Sequence, residues 1–173
     1  TGVVGDVQAI MAQAPALSDH LGRITARRPD IAADIIASGP ARVVDDAVTA
    51  MRAAGGMAGP LDAPMREMRR AKEAAQFAIS IADLAGLWSL DEVVGRLTQL
   101  ADTATQAALR LAIGTSWASG HLGETRDSDE MPGLFALAMG KMGAHELNYS
   151  SDIDLIVLFD LDMLPVQGPR VKE

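Results

Sequence analysis

One stretch decides the fold of this chain: Leu134-Phe135-Ala136-Leu137-Ala138-Met139-Gly140-Lys141-Met142-Gly143-Ala144-His145-Glu146-Leu147-Asn148-Tyr149-Ser150-Ser151-Asp152-Ile153-Asp154-Leu155-Ile156-Val157-Leu158-Phe159. An apolar run leads into a glycine turn, and a second apolar run, rich in β-branched residues, follows two carboxylates. The second run has the composition and length of one buried strand. The stretch therefore predicts two neighbouring strands, near 134–140 and 153–159, joined by a turn with a short helix or loop.

Two carboxylates, Asp152 and Asp154, open the second predicted strand. Side chains alternate between the faces of a strand, so the pair is expected to project to one side, about 6–7 Å apart. Mg²⁺ is commonly held by one or two carboxylates together with waters and phosphate oxygens. A solvated strand end is the alternative explanation for the run Asp152-Ile153-Asp154.

The residues around the turn suit a phosphate group. Gly140 and Gly143 allow the backbone to approach a phosphate closely, and Lys141 offers a positive charge. Ser150 and Ser151 either bind phosphate or cap the turn before the strand. An ordinary strand-to-helix turn with a solvated lysine explains the first three residues equally well.

Other candidate residues are expected to have structural roles. His145 stands alone and is predicted to be structural or solvated rather than catalytic. Arg66, Arg69 and Arg70 are predicted to form a solvated helix face with pairs such as Arg69–Glu73.

The composition favours closely packed helices. The chain has 173 residues, of which 49% are hydrophobic and only 3% aromatic, and alanine is abundant. A net charge of −8 makes the chain a poor non-specific binder of nucleic acid. The lack of cysteine excludes disulfides and thiol chemistry. No long apolar run or signal peptide is visible, so no membrane partner is expected and the cytoplasm is the default location.

Two long helices are predicted in the middle of the chain. The first runs from about 61 to 85, with Pro64 in its first turn and Gly86 at its end. The second begins after Ser89 and continues towards 117–121.

The first 59 residues are expected to form short helices, interrupted at Pro15, Pro29, Gly39 and Gly55, with a helix start at Ser18. The sequence thus divides into three parts. A region of short helices spans 1–59, a long helical hairpin spans 60–122, and the start of a catalytic core spans 123–173. Within the last part, 123–133 is predicted to be a linker and 160–173 a loop.

A glycine turn followed about a dozen residues later by Asp-x-Asp resembles the nucleotidyltransferase superfamily, although many of its members have serine where Lys141 stands. The run Gly140-Lys141-Met142-Gly143, followed by Glu146 to Ile156, is similar to the bifunctional glutamine synthetase adenylyltransferase/adenylyl-removing enzymes. Those enzymes carry two such domains, and the carboxy-terminal copy typically has Gly-Ser before Asp-x-Asp. The form Asn148-Tyr149-Ser150-Ser151-Asp152-Ile153-Asp154 resembles the amino-terminal, adenylyl-removing copy. Segments 83–87 and 100–102 extend the resemblance over roughly 60–160.

The resemblance implies a mainly α chain with a small β part, in which the two strands begin a nucleotidyltransferase-like α/β domain. It implies that phosphate attacks the adenylyl-tyrosine of glutamine synthetase and releases ADP. Asp152 and Asp154 would be the catalytic residues and would hold Mg²⁺, with two ions bound in the complete enzyme. The other half of the enzyme would bind ATP. The implied partners are glutamine synthetase, the PII signalling protein, nucleotide and phosphate.

The superfamily usually uses a third carboxylate from a later strand. Asp160 lies about 20 Å beyond Asp154 along a strand, which is too far to share the ions. We therefore expect the chain by itself to be a catalytically inactive fragment.

Two other functions remain open. An alanine-rich helical region with a two-stranded appendage would suit a protein-interaction module, in which Asp152 and Asp154 are structural. A nucleotidyltransferase that acts on another substrate, such as an antibiotic or a nucleic acid, is the second alternative. The acidic balance and the run Asn148-Tyr149-Ser150-Ser151 argue against it.

Overall fold

The computed structural model describes residues 2–123, 133–160, 162–164 and 166–167, with side chains from residue 7 onward. Helices form most of the described chain, and a two-stranded sheet follows them, which confirms the predicted mainly α class with a small β part. The elements, in chain order, are α1 (Gly2–Leu17), α2 (Asp19–Arg27), α3 (Pro29–Ser38), α4 (Pro40–Gly55), α5 (Asp62–Leu84), α6 (Leu90–Ala118), β1 (Leu134–Met139), α7 (Gly140–Gly143) and β2 (Asp154–Phe159).

Helix ends follow local signals in the sequence. The Ser18 hydroxyl accepts a hydrogen bond at the start of α2, and Pro29 occupies the first position of α3. Ser89 and Glu92 form a capping box that starts α6. Gly86, with a φ of 64°, follows the end of α5. These four predicted boundaries are confirmed.

The predicted break at Pro15 is wrong, because α1 continues through this residue to Leu17. Proline lacks the N–H group that a helix residue donates to the carbonyl four positions earlier. The loss falls in the last turn of α1, and the Ser18 N–H still donates to the Ala14 carbonyl at 3.1 Å. The chain changes direction at Ser18 instead.

The two long helices, α5 and α6, are confirmed, and α4 packs with both of them. Small side chains make this close approach possible. A Cβ built at Gly55 would lie only 2.7 Å from the Ala107 Cα, so α4 and α6 are nearly in backbone contact there. The buried residues that join the three helices are Ala47, Met51, Ala71, Ala75, Leu100 and Ala107.

A larger core cluster runs through most of the chain. It begins with Val7 on α1, includes the fully buried Phe77 on α5, and ends with Met142 and Leu147 beside the sheet. The cluster takes side chains from each of the three predicted parts of the chain. The division into those parts stays a prediction.

Strands β1 and β2 pair antiparallel, with Leu134 opposite Phe159 and Met139 opposite Asp154. The predicted neighbouring strands are therefore confirmed. The expectation that the second strand is buried is wrong, since every residue of β2 is exposed. In β1, half-buried residues alternate with exposed ones, because only one face of the sheet is turned towards the helices.

Most of the predicted linker, residues 124–132, lies outside the described residues, as do residues 161, 165 and 168–173 of the predicted terminal loop. Where the structure describes the chain, Leu122 and Val166 form an isolated antiparallel bridge. The Asp160 N–H donates to the Gly133 carbonyl at 2.7 Å. Within the described residues, none of the helices has both the length and the apolar character needed to cross a bilayer.

Candidate functional site

Both glycines of the turn are required by local geometry. Gly140 has a φ of 55°, in the left-handed region that favours glycine. A Cβ at Gly140 would also lie 3.4 Å from Oδ2 of Asp154, so this carboxylate lies against the turn. A Cβ at Gly143 would lie 2.3 Å from the Ala138 carbonyl oxygen. The glycines therefore let α7 fold back against β1 and bring the turn beside Asp154.

The two carboxylates occupy different elements. Asp154 is the first residue of β2, whereas Asp152 precedes the strand and lines a cavity between the sheet and the helices. Alternation of side chains applies within a strand, so the expectation that the pair projects to one side stays a prediction.

The carboxylates are chemically suited to a hard cation. Asp152 and Asp154 are both exposed, and neither carboxylate group forms an ion pair or a side-chain hydrogen bond with another described residue. No cluster of three or more His, Cys, Asp or Glu side chains with metal-binding geometry occurs in the part of the chain that the structure describes. Two carboxylates completed by water and phosphate oxygens are nevertheless a common Mg²⁺ environment. The residues present fit such an ion.

A closed turn precedes Asp152. The Asn148 Oδ1 atom accepts hydrogen bonds from the Ser150 N–H at 3.1 Å and from the Ser151 hydroxyl at 2.8 Å. The Asn148 N–H donates to the Ser151 Oγ atom at 3.1 Å. Ser151 thus has the capping role, while the Ser150 hydroxyl has no partner among the described residues. A phosphate contact of either serine stays a prediction.

Tyr149 connects this turn to the last turn of α5. Its hydroxyl donates to Oδ2 of Asp83 at 3.1 Å, across 66 positions of sequence. Burial raises the pKa of the Tyr149 hydroxyl, and so do the charge of Asp83 and the hydrogen bond to it, whereas a hydrogen bond with Ser80 lowers it. The phenol is therefore neutral and acts as a donor at ordinary pH.

Sequence reasoning missed the contact between Tyr149 and Asp83. The two residues belong to segments that both carried the family resemblance, 83–87 and 148–154. That coincidence was the available signal, but no local pattern pairs residues that lie so far apart in the chain.

Two buried side chains attach the rest of the segment between β1 and β2 to the helical core. Met142 on α7 is 3% exposed, and Leu147 is 4% exposed. The described segment between the strands is therefore attached to the helices by apolar contacts at Met142 and Leu147, and by the polar contact of Tyr149.

A cavity of about 720 Å³ separates the inner face of the sheet from α5 and α6. Apolar residues of the sheet and of α6 form much of its wall, and polar residues also line it. The apolar residues include Ala136, Leu155, Val157, Leu97, Leu100 and Ala104, and the polar residues include Lys72, Gln76, Ser151 and Asp152.

The remaining candidates are an exposed residue of α7, an exposed histidine that follows α7, and a carboxylate beyond β2. Lys141 and His145 are exposed, and His145 adopts a φ of 58° after α7. The Asp160 carboxylate accepts the Asp162 N–H at 2.9 Å and so belongs to its own turn.

The predicted Arg69–Glu73 pair is not formed. Glu73 instead pairs with Arg27 and, at 3.4 Å, with Arg28, which lie at the junction of α2 and α3. A tertiary contact with two arginines replaces the local pair because the fold brings this junction against α5.

The chain belongs to the glutamate-ammonia ligase adenylyltransferase family, whose pattern matches residues 4–172. This match covers nearly the whole chain and includes every element described above except the first two residues of α1. No solved structure matches the chain significantly.

The curated relatives are long proteins, each named bifunctional glutamine synthetase adenylyltransferase/adenylyl-removing enzyme. A Bradyrhizobium protein is 48% identical over 99 residues, covering 56% of this chain and 10% of the relative. A Rhodopseudomonas palustris protein is 39% identical over 134 residues, covering 76% of this chain and 13% of the relative. A Caulobacter vibrioides protein is 44% identical over 103 residues, covering 58% of this chain and 10% of the relative. The aligned part of the chain therefore spans 10–13% of the length of these relatives.

Proposed function

We propose that this chain forms part of the half of such an enzyme that removes AMP from the adenylyl-tyrosine of glutamine synthetase. One observation carries the proposal: the Asp154 carboxylate lies against the Gly140 turn, and Asp152 precedes it, in a chain of this family. The run from Asn148 to Asp154 supports the choice of half, because it resembles the adenylyl-removing copy.

Different residues would bind the metal ion and the phosphate group in a reaction at phosphorus. Asp152 and Asp154 would hold Mg²⁺, which when bound neutralises phosphate charge and polarises phosphoryl oxygens. The absence of side chains at Gly140 and Gly143 leaves room for a phosphate at the turn, and Lys141 adds a positive charge beside it.

In the proposed reaction, an oxygen of inorganic phosphate attacks the phosphorus of the adenylyl group. The bond from phosphorus to the tyrosine oxygen breaks, the tyrosine takes up a proton, and ADP leaves. The chain's residues would position the groups and stabilise their charge, which is where most catalysis of this kind arises.

The proposal extends to the partners of the whole protein. Glutamine synthetase is part of the relatives' names, and we propose it as the substrate. Binding of nucleotide and phosphate, control by the PII signalling protein, and action in the cytoplasm complete the proposal.

The test uses a full-length relative in which this chain replaces the matching segment. We expect Asp152→Asn and Asp154→Asn to lower phosphate-dependent ADP release from adenylylated glutamine synthetase on the order of 100-fold or more, because each removes a metal ligand. Addition of AMP from ATP by the same variants should be retained. Asp162→Asn, at an exposed carboxylate away from the turn, is the matched control.

The outcomes separate the alternatives. Loss of AMP addition with AMP removal intact would assign the chain to the other half. Unchanged removal and addition in both variants would contradict a catalytic role for the carboxylates and favour an interaction module.

A further inference from the structure

The segment that carries Asp152 has two points of attachment of different kinds. On one side, Asp154 pairs with Met139 in the sheet. On the other side, the turn from Asn148 to Ser151 is closed by its own hydrogen bonds. Asp152 and Ile153 lie between them and belong to no helix or strand. The position of Asp152 therefore depends on how firmly the turn is held.

The turn is held against the helices mainly by Leu147 and Tyr149. Leu147 contributes an apolar contact that is tolerant of small rotations, since dispersion forces are not directional. Tyr149 contributes a hydrogen bond to Asp83, which requires one distance and one orientation. Only the second contact specifies how the turn is rotated relative to α5.

We propose that Tyr149 is a positioning residue, which fixes Asp152 and the Ser150 hydroxyl relative to Asp154 through its hydrogen bond to Asp83. Because hydrogen bonds link the residues on either side of Tyr149, a shift of the Tyr149 ring is transmitted to Ser150 and Ser151 and then to Asp152. The inference rests on the proposed metal-binding function of Asp152 and Asp154.

Asp83 is suited to this role by its placement. It lies in the last turn of α5, whose neighbours Ile81 and Ala82 are fully buried, so the acceptor stands on a rigid support. Tyr149 as a whole is 40% exposed, so its packing against the helices is incomplete. The hydrogen bond adds a directional contact to that packing and so sets the position of the ring.

The first experiment measures amide hydrogen exchange in this chain without metal. We expect Tyr149→Phe and Asp83→Ala to speed exchange at Asn148, Ser150 and Ser151 roughly fivefold to tenfold, because a hydrogen bond to a charged group is lost. Asp83→Asn keeps an acceptor oxygen and should remain near the wild type. Thr49→Ala, which removes a side-chain hydrogen bond on α4, is the remote control.

The second experiment measures binding of Mn²⁺, as a spectroscopic substitute for Mg²⁺, by the same variants. We expect Tyr149→Phe and Asp83→Ala to weaken binding on the order of 10-fold, as is typical when a partner that orients a ligand is removed. The double variant should bind no more weakly than either single variant, since both act on one contact. Asp152→Asn serves as the loss-of-site reference.

The outcomes separate the two proposals. Unchanged exchange in Tyr149→Phe overturns the positioning role, and so does faster exchange with unchanged Mn²⁺ affinity. If the wild type and Asp152→Asn bind Mn²⁺ equally weakly, the metal site of the proposed function fails, and exchange alone then decides whether Tyr149 holds the turn.

Discussion

Two threonines on α6 are buried to a similar degree but differ in whether the hydroxyl has a partner. Thr103 is 4% exposed, and its hydroxyl donates to the Gln99 carbonyl at 2.8 Å. Thr98 is 1% exposed, and its Oγ1 atom has no hydrogen-bond partner among the described residues. A buried polar group without a partner loses its hydration and gains nothing in return.

We therefore expect Thr98→Val to raise the free energy of unfolding of this chain by about 1 kcal/mol. Valine has nearly the same shape and a similar helix propensity, so the hydroxyl is the main change. Thr103→Val is the matched control and should be neutral or destabilising, because it removes a formed hydrogen bond. Urea denaturation measures the free energy of unfolding of both variants. An increase in this free energy in both variants, or in neither, would contradict the explanation.

At the scale of single residues, the sequence predicted which side chains gather at the turn but not how they are held. Gly140 and Gly143 are predicted to let the backbone approach a phosphate, and the structure adds a local reason for each, the positive φ of Gly140 and the close carbonyl at Gly143. The alternation of side chains suggested the placement of the carboxylates, but β2 begins only at Asp154. The sequence predicts no role for Tyr149, because its partner Asp83 is remote in sequence.

At the scale of elements, the approach of α4 to α6 depends on Gly55. A Cβ at this position would lie 2.7 Å from the Ala107 Cα, well inside the usual carbon–carbon contact distance of about 3.5–4.0 Å. Both atoms belong to helix backbones or are attached to them directly, so no flexible side chain can move aside. The two helices would have to separate.

We expect Gly55→Ala to lower the free energy of unfolding by about 1–3 kcal/mol, the usual cost of overpacking. Gly95→Ala on α6 is the matched control, since a Cβ there meets no described atom within 4 Å. It should stabilise the chain by roughly 0.5–1 kcal/mol, because glycine within a helix is entropically costly. Thermal or urea denaturation distinguishes the two, and a stabilising Gly55→Ala would show that the helices are not in close contact.

The helices were predictable because residues close to each end in the sequence determine where the helix begins or stops. Ser18, Pro29, Gly86 and the Ser89–Glu92 capping box act within a few residues of each boundary. The failures concern information that is not local. Whether a helix tolerates Pro15 depends on how near its end lies, and the partner of Glu73 depends on tertiary packing.

At the scale of the whole molecule, the described core is helical and the sheet lies at its margin. The outer face of the sheet carries Phe135, Leu137 and Met139 from β1, opposite Leu158, Ile156 and Asp154 from β2. These five apolar residues are between 40% and 52% exposed, with Leu158 at the lower limit and Phe135 at the upper. A contiguous exposed apolar surface of this kind is characteristic of an interaction site or an aggregation risk.

Both strands also have an unpaired edge among the described residues, since each pairs only with the other. Unpaired edges next to an apolar face favour pairing between chains. We therefore expect the purified 173-residue chain to self-associate through the sheet, in a concentration-dependent manner that sedimentation velocity can measure.

Replacing Ile156 by lysine places a charge in the middle of the outer face and should shift the chain towards the monomer, because burial of an unpaired ammonium group is costly. Leu90→Lys is the matched control. Leu90 is 75% exposed at the start of α6 and belongs to neither strand, so its replacement should leave the association unchanged. A monomeric wild-type chain at high concentration, or equal loss of association in both variants, would show that the sheet does not drive the contact.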